Sequence, residues 1–364
     1  MKYDVSVIGA GPAGSVAAER ASRENDVVLV GSEHRVQCAG VISISGLTQL
    51  GVKPDGWVLN KVRGAKLVSP LGFEAVIDGG EHKAYVVDRL AFDRKLVDDA
   101  VNSGVNYIPS VVDGVNGSLL HTSGGDRLKS DKIVLATGTD YALQKRLGLD
   151  YPKDFLVGVQ YEMEVECDSD FVELHFIVPD FFAWVIPVDG YARVGLCSKR
   201  NAKSQLDKFV SRLGRDGRLR SDRKLSEVYG IVPVHDPLVR TQYDKIVTVG
   251  DAAGHVKASS GGGVVFGCLA AELACSENYE SEWRRRIGGE LKLHLMLHNS
   301  LVRLKPENMD RLLRLVSAHH SDLERGGDMD YAGKTLRNLL VKPMLALDFL
   351  INTPHFLRDL ISFY

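Results

Sequence analysis

The sequence predicts an α/β protein in which a parallel sheet is interrupted by an inserted antiparallel sheet and followed by helices. Two glycine-rich turns, each between an apolar strand and a helix, indicate the parallel sheet, and a long alternation of apolar and polar residues between them indicates the antiparallel one. The chain has 364 residues, of which 45% are hydrophobic, so it can bury the cores of two domains. Its 45 basic and 47 acidic residues nearly balance, and nucleic acid is therefore not an expected partner.

The first glycine-rich turn follows an apolar strand at the amino terminus. The strand, over residues 5–8, leads directly into the pattern G-x-G-x-x-G, and a helix follows. Gly9 permits the tight turn, Gly11 lets a pyrophosphate approach the backbone, and Gly14 lets the helix pack on the strand. The free amides and the positive dipole end of that helix attract phosphate. The candidate phosphate-binding residues are Gly9, Gly11, Pro12, Ala13 and Gly14.

The second glycine-rich turn lies far downstream, after an apolar strand over 245–249. Asp251 stands at the carboxyl end of that strand, the edge where ligands bind in an open α/β sheet, and its carboxylate can accept hydrogen bonds from a sugar-alcohol chain. Three consecutive glycines, Gly261 to Gly263, then open an apolar helix over 264–274, whose amino end can stabilise negative charge. The alternative is that both turns belong to an α/β protein that binds no nucleotide.

The paired turns resemble those of FAD-dependent oxidoreductases of the glutathione-reductase superfamily, in which the first turn holds the ADP half of the cofactor and the second its ribityl chain. The D-R-x-x-F-D element at 88–93 and the A-T-G turn at 136–138 resemble the same group. The resemblance implies an FAD-binding Rossmann-like domain, with Arg89 on the flavin side, Val112 meeting adenine through its backbone and Gly138 beside the cofactor. For Arg89 the alternative is an exposed residue in the first turn of a helix. From the second turn the cofactor would be contacted by Asp251, Gly261, Gly262, Gly263 and Val264.

The order of these segments predicts a discontinuous organisation. Residues 155–177 alternate in the strand period, and residues 181–198 predict a hairpin that turns at Asp189-Gly190, an antiparallel sheet suited to forming a substrate chamber. The predicted parts are an FAD-binding domain (1–60, 85–150 and 236–275), an antiparallel-sheet substrate domain (61–84 and 151–235) and a C-terminal helical region (276–364).

Two further motifs resemble those of one family of flavoenzymes, the archaeal geranylgeranyl reductases. C-A-G-V-I-S at 38–43 resembles the family's cysteine loop, and F-x-W-x-I-P at 182–187, followed after seven residues by Gly195, resembles its aromatic signature. The G-D-A-A-G…G-G-G pattern of the second turn matches as well. The chain departs from the family at Ile186, where an aromatic residue is usual, and at Cys197, which replaces a glycine.

The resemblance implies an FAD-dependent reductase that saturates isolated C=C bonds of geranylgeranyl chains in isoprenoid lipids. Reduced flavin would deliver hydride to one alkene carbon, and a proton would reach the other. An aromatic face can favour the positive charge on the tertiary carbon by roughly 0.5–2 kcal/mol, and the spacing of Phe182 and Trp184 places both on one side of a strand. Core packing is the alternative for both rings. Phe182, Trp184, Pro187 and Gly195 are the candidate substrate-binding residues.

Cys38 is the second candidate catalytic residue beside Trp184. A thiol with the usual pKa of about 8.5 is mostly protonated at neutral pH and can donate a proton; a small residue in a loop is the alternative. By the resemblance, Cys38 and Ala39 would also contact the cofactor. By spacing, the ribose ligand after the second strand would be Ser32 or Glu33, and Glu33 is predicted because only a carboxylate can hold both ribose hydroxyls.

The physiological electron donor is not encoded in a motif. The absence of a second nucleotide-binding fingerprint favours a ferredoxin or another reduced carrier, and NAD(P)H is the alternative donor.

The basic stretch 199–224, with ten Lys or Arg against three Asp, could attract anionic head groups, although a solvated helix face is the favoured interpretation. The apolar segment 339–364 could dock on the substrate chamber or lie in a membrane interface.

The remaining features predict where the protein works and which other functions are open. A strand so near the amino terminus and five widely spaced cysteines predict a cytoplasmic protein, with peripheral contact at the inner membrane surface as a possibility. The histidines have no ligand spacing, and no metal is expected. Alternatives are an FAD-dependent monooxygenase or halogenase on the same fold, although no lysine follows the second strand where a halogenase needs its amine, and a non-catalytic flavin- or lipid-binding protein.

Overall fold

The structure is a computed structural model, and it describes residues 1–32, 37–321, 324 and 328–334. The chain forms two compact units, each assembled from separate stretches of sequence. The first unit contains the described residues of Met1–Val36, Arg89–Phe155 and Val232–Lys292. The second unit contains those of Gln37–Asp88, Leu156–Ile231 and Leu293–Tyr364.

Strands and short helices make up most of the described chain. The strands are β1 (Lys2–Ile8), β2 (Val27–Val30), β3 (Val41–Ser43), β4 (Val58–Val62), β5 (Gly64–Val68), β6 (Glu74–Asp78), β7 (Ala84–Val87), β8 (Asn106–Ile108), β9 (Val112–Asn116), β10 (Leu119–Thr122), β11 (Arg127–Leu135), β12 (Phe155–Val165), β13 (Phe171–His175), β14 (Ala183–Val188), β15 (Tyr191–Ser198), β16 (Leu219–Pro233), β17 (Gln242–Tyr243) and β18 (Ile246–Thr248). The α-helices are α1 (Pro12–Ala21), α2 (Ile44–Gln49), α3 (Arg89–Asn102), α4 (Ala142–Arg146), α5 (Ala202–Arg215), α6 (Val264–Ala271), α7 (Tyr279–Trp283), α8 (Gly289–Leu301) and α9 (Pro306–Ala318). A 3₁₀ turn occupies Gly250–Ala253, and a π-helical turn occupies Arg284–Gly288.

A mostly parallel sheet is the centre of the first unit. Its strand order is β17-β18-β11-β1-β2-β8, and the strands from β18 to β8 run parallel. All four residues of β2 are buried, as expected of an apolar strand covered on both faces. Helix α1 packs against α3 and α6. This is the Rossmann-like arrangement that the two glycine-rich turns predict.

A seven-stranded sheet dominates the second unit. Its order is β16-β12-β15-β14-β13-β5-β6, and from β12 to β6 neighbouring strands run antiparallel except β13 and β5, which are parallel. Strands β14 and β15 form the predicted hairpin, in which Val188 pairs with Tyr191 across the turn. Helix α5 buries Leu206, Phe209 and Leu213 against one face of this sheet. The predicted inserted antiparallel sheet is therefore present.

The two units divide the chain at different points from the predicted domains. Residues 37–60 and 85–88 lie in the second unit rather than in the nucleotide-binding one, and there β7 pairs with both β3 and β4. Residues 276–292 belong to the first unit, where Tyr279 and Trp283 of α7 are buried. The predicted ribose ligand Glu33 and the apolar segment 339–364 lie outside the described residues.

The basic stretch 199–224 is not one helix. Helix α5 ends at Arg215, Gly217 adopts a φ of +73°, and β16 begins at Leu219. The helical part is amphipathic, with its apolar residues on the sheet, so its remaining side chains face solvent as the favoured interpretation expects. Within the described part of the chain, none of the helices is long and apolar enough to cross a membrane.

Candidate functional site

The first glycine-rich turn joins β1 to α1 in the first unit. Gly9 has a φ of +109°, and a Cβ on Gly14 would overlap the carbonyl oxygen of Gly9, so both positions require glycine. Gly11 caps α1, with Pro12 as the first helical residue. A Cβ on Gly11 would meet no atom within 4 Å. The backbone at Gly11 and the amino end of α1 are therefore open to an anionic ligand.

The second glycine-rich turn lies directly against the first. A Cβ on Gly250 would lie 2.9 Å from Cβ of Ala13. Two side chains of the segment before β12 hold this turn by donating to its backbone carbonyls: the Tyr141 hydroxyl to Asp251 at 3.1 Å, and Nε2 of Gln144 to Ala252 at 2.9 Å. The two turns thus form one continuous surface on the parallel sheet.

Asp251 presents a carboxylate that makes no hydrogen bond or ion pair with the residues described in the structure. Burial raises the pKa of this carboxyl, and the positive charge of Arg89 opposes that rise. A half-buried acceptor without a partner is costly unless a ligand supplies donors. The Asp251 carboxylate therefore fits a ligand that carries hydroxyl groups.

The three glycines before α6 stand where an added Cβ would be crowded or where the backbone has a positive φ. A Cβ on Gly263 would lie 2.8 Å from Oδ1 of Asp251, and a Cβ on Gly262 would lie 3.0 Å from Cε of Lys257. Gly261 has a φ of +70°, and its amide donates to the carbonyl of Lys257 at 2.8 Å. Helix α6 begins at Val264 with its amino end at these glycines. Sequence reasoning missed Lys257, whose charge in an otherwise small and buried segment was the available signal.

Arg89 is not an exposed residue of a first helical turn. Its Nε and Nη2 atoms donate to the two carboxylate oxygens of Asp93 at 3.0 and 3.1 Å, and its side chain is only 12% exposed. The exposed alternative is therefore wrong. The other two first-unit candidates stand at strand ends: Val112 is buried at the start of β9, and Gly138, with a φ of +61°, follows β11 with open space at its Cβ position.

In the second unit, the indole of Trp184 is fixed on one face of the large sheet. Its Nε1–H donates to Oε1 of Gln160 at 3.1 Å, and the side chain is 7% exposed. Gly195 is the register partner of Trp184 on the next strand. The ring of Phe182 lies 6.4 Å from that of Trp184, centroid to centroid, in an edge-to-face arrangement. The two aromatic candidates are thus neighbours, as their spacing predicts.

Pro187 does not share the face of Trp184. Successive residues of a strand point to opposite sides, so Pro187 lies on the same side as Ala183 and Val185, which pack in the core beneath α5. The alternation of side chains along β14 therefore does not support a substrate-binding role for Pro187. That role stays a prediction.

The segment from Cys38 to Gly40 precedes β3. The Cys38 side chain is exposed, and the amide of Gly40 donates to its sulfur at 3.4 Å. The Ala39 carbonyl accepts a hydrogen bond from Nη1 of Arg193 at 3.0 Å. Burial raises the pKa of the Cys197 thiol to about 12, and the nearby Cys38 adds to that effect.

The structure gathers the candidates into two groups, one in each unit. The first-unit group surrounds the two glycine-rich turns, and the second-unit group lies on the Trp184 face of the sheet and at the Cys38 segment. Sequence reasoning missed Gln160 and Arg193, for which the only signal was a polar residue in a strand of buried ones. Among the described residues, no group of three or more His, Cys, Asp or Glu side chains is placed to hold a metal ion.

A parallel sheet with glycine-rich turns after its strands is the arrangement of nucleotide-binding folds, and solved structures with this fold include a flavin-dependent enzyme. The fold matches a geranylgeranyl bacteriochlorophyll reductase-like protein of Thermoplasma acidophilum with a TM-score of 0.81 at 21% identity, covering 96% of this chain and 99% of that one. It also matches the flavin-dependent brominase Bmp2, with a TM-score of 0.66 at 18% identity, covering 94% and 98%.

Sequence comparison identifies the family. No protein-family model matches the chain. A digeranylgeranylglycerophospholipid reductase 2 of Methanothermobacter thermautotrophicus is 31% identical over 359 residues, which cover 86% of this chain and 91% of that protein. The chain belongs to the geranylgeranyl reductase family.

Proposed function

We propose that this protein is an FAD-dependent reductase that saturates isolated C=C bonds of geranylgeranyl chains in isoprenoid lipids. The observation that carries the proposal is the near full-length sequence relationship to an archaeal digeranylgeranylglycerophospholipid reductase. The Cys38 loop and the Trp184 signature, through which the sequence resembles this family, support the same assignment.

The first unit fits FAD. Gly11 and the amino end of α1 are open for the pyrophosphate, and the Asp251 carboxylate, which has no partner among the described residues, is an acceptor for the ribityl hydroxyls. The amino end of α6, at Gly263, offers positive potential for a ring that carries negative charge after reduction. When bound and reduced, FAD supplies the hydride for alkene reduction.

The second unit carries the residues proposed to act on the alkene. Trp184 presents a rigid indole, because Gln160 holds its Nε1–H and Phe182 packs against its ring. A π face at this position favours positive charge on the tertiary carbon as the transition state forms. Cys38, with its exposed thiol, is proposed to hold the proton that the second alkene carbon receives.

The partners follow from the proposed reaction. The substrate is an isoprenoid lipid, and we propose peripheral contact with the inner membrane surface by a protein that works in the cytoplasm. We propose a ferredoxin or another reduced carrier as electron donor, since the sequence contains no second nucleotide-binding fingerprint; NAD(P)H is the alternative donor.

A flavin-dependent halogenase or monooxygenase is the second candidate function. The shared fold with a brominase favours it. Against a halogenase stands the segment 37–43, which contains no lysine to serve as the catalytic amine. A non-catalytic flavin- or lipid-binding protein is the third possibility.

The deciding experiment measures the mass of the lipid after incubation with the reduced protein. Purified protein loaded with FAD and reduced by dithionite without oxygen is incubated with a geranylgeranyl glycerolipid, and the lipid is analysed by mass spectrometry. The proposal expects mass gains in steps of two hydrogens that slow by about a hundredfold or more, but stay measurable, in Cys38→Ala, while the matched control Cys275→Ala, another exposed cysteine, retains the wild-type rate. Unchanged lipid together with oxygen consumption on adding NAD(P)H would indicate a monooxygenase instead. Unchanged lipid and no turnover by an FAD-loaded protein would indicate a binding protein.

A further inference from the structure

We propose that Arg193 is a positioning residue that holds the Cys38–Gly40 segment on the large sheet and so sets the orientation of the Cys38 thiol. The inference deepens the proposed function and rests on it, since it concerns the residue proposed to hold the proton.

The guanidinium of Arg193 is a bridge between three backbone segments of the second unit. Arg193 lies on β15, and its Nη1 donates to the carbonyl of Ala39 at 3.0 Å and to that of Val87 at 3.1 Å. The amide of Val87 in turn donates to the carbonyl of Gly40 at 2.8 Å. One side chain therefore ties the residue next to Cys38 both to β15 and to the end of β7.

A buried cation needs a partner, and Arg193 has one on the neighbouring strand. The residue is 8% exposed, and Glu162, its register partner on β12, accepts from Nε of Arg193 at 3.3 Å. The other carboxylate oxygen of Glu162 accepts from the Ser226 hydroxyl at 2.8 Å. Because the pair leaves Nη1 free to reach the carbonyls, the guanidinium is held in one orientation.

Gly40 leaves the space that the Arg193 guanidinium occupies. Its φ is +75°, and an added Cβ would overlap Nη1 of Arg193 and come within 2.9 Å of the Val87 carbonyl oxygen. The amide of the same glycine donates to the sulfur of Cys38. Gly40 therefore leaves space for the Arg193 guanidinium and also donates the hydrogen bond that orients the Cys38 thiol.

The same strand face also carries the support of Trp184. Arg193 and Gly195 are two residues apart on β15 and point to one side of the sheet. Gly195 pairs with Trp184, and Arg193 pairs with Ile186, both on β14. Arg193 thus ties the Cys38 segment to the strand pair that fixes the indole.

The first test measures the reactivity of Cys38 without any need for FAD or lipid. Wild type, Arg193→Lys and Gly40→Ala are alkylated with N-ethylmaleimide, and labelling of Cys38 is compared with that of the exposed Cys275 in the same sample. We expect Cys38 to react at least about threefold faster in both variants, because a released segment frees the sulfur from its contact with the Gly40 amide and lets the reagent approach it from more directions, with Cys275 unchanged. Equal labelling of Cys38 in wild type and both variants would overturn the proposal.

A matched control separates a local role from general destabilisation. Arg218→Lys removes the guanidinium that pairs with another buried carboxylate of the second unit, that of Glu173. Its Cys38 labelling should equal that of wild type. If Arg218→Lys accelerates Cys38 as much as Arg193→Lys does, the effect is general loosening and the proposal fails.

The second test asks whether Arg193 acts through Cys38. In lipid reduction we expect kcat of Arg193→Lys to fall about tenfold, as for a misplaced reacting group, with KM changed less than about twofold. In a Cys38→Ala background the same substitution should cost nothing further. Additive losses would overturn the positioning role. The two proposals can also fail separately. If the variants change Cys38 labelling but the wild type reduces no lipid, the proposed function is wrong, whereas the role of Arg193 in holding the Cys38–Gly40 segment stands.

Discussion

The indole of Trp184 lies across the backbone of Gly195, so closely that a Cβ on this glycine would be 2.5 Å from Cζ2 of the ring. The two residues are register partners on the strands of one hairpin. The glycine of the family signature therefore has a steric role here: it makes the space in which the tryptophan ring lies flat against the sheet.

Substitution of Gly195 by alanine should displace the indole and break its hydrogen bond to Gln160. Overpacking of this kind costs about 1–3 kcal/mol in the free energy of unfolding, and we expect lipid reduction to fall by about tenfold or more. Chemical denaturation and lipid mass spectrometry measure the two effects. Gly114→Ala is the control, because its nearest neighbour would be 4.0 Å away and the strand can accept it. Full activity of Gly195→Ala would show that the reaction does not depend on the position of the Trp184 indole.

Gly11 and Gly14 should respond differently to alanine although both belong to one motif. Gly11→Ala has space for its Cβ and should leave the stability of the apoprotein unchanged, but it should weaken FAD binding because the Cβ occupies the open approach to the backbone. Gly14→Ala should destabilise the fold itself, since its Cβ would overlap the Gly9 carbonyl. Thermal unfolding of the apoproteins and flavin fluorescence titration distinguish the two. Unimpaired FAD binding by Gly11→Ala would contradict the assignment of this turn.

Asp251→Asn should weaken FAD binding by about tenfold to a hundredfold, because charge-assisted hydrogen bonds to the ribityl hydroxyls are replaced by weaker ones. The apoprotein should be no less stable than wild type, since the half-buried carboxylate has no partner within the described part of the chain and burial already raises its pKa. Equilibrium titration of the apoprotein with FAD gives the affinity. The exposed Asp113→Asn serves as the control, and equal affinities of the two variants would exclude Asp251 from the cofactor site.

Glu173 should make folding stability depend on acid pH. Burial opposes ionisation of this carboxyl, but hydrogen bonds with His175 and Arg218 prevail and lower its pKa from 4.5 to about 2. A carboxyl with a lower pKa in the folded state stabilises the fold above its unfolded pKa, and this stabilisation is lost as pH falls from about 4.5 towards 2.

The Glu173→Gln variant tests this dependence. It should be less stable than wild type at pH 7 and should lose less stability over the same acid range. Urea unfolding at a series of pH values measures the difference, and parallel curves for the two proteins would refute the proposed linkage.

Much of the first unit could be predicted because its signals are local. The conformations of Gly9 and Gly14 are requirements of a single turn between adjacent elements, so the residues that impose them stand next to each other in sequence. The hairpin at Asp189-Gly190 was predictable for the same reason. The family motifs then predicted the cofactor and the reaction.

The sequence by itself determined the two turns, the hairpin, the class of cofactor and the family. Tertiary structure alone decided that Gln160 holds Trp184, that Arg193 reaches Ala39 and Val87, and that residues 37–60 belong to the unit of the antiparallel sheet. The physical reason is that strand pairing and packing join residues far apart in the chain, and side chains find their partners only once the tertiary structure places them next to each other.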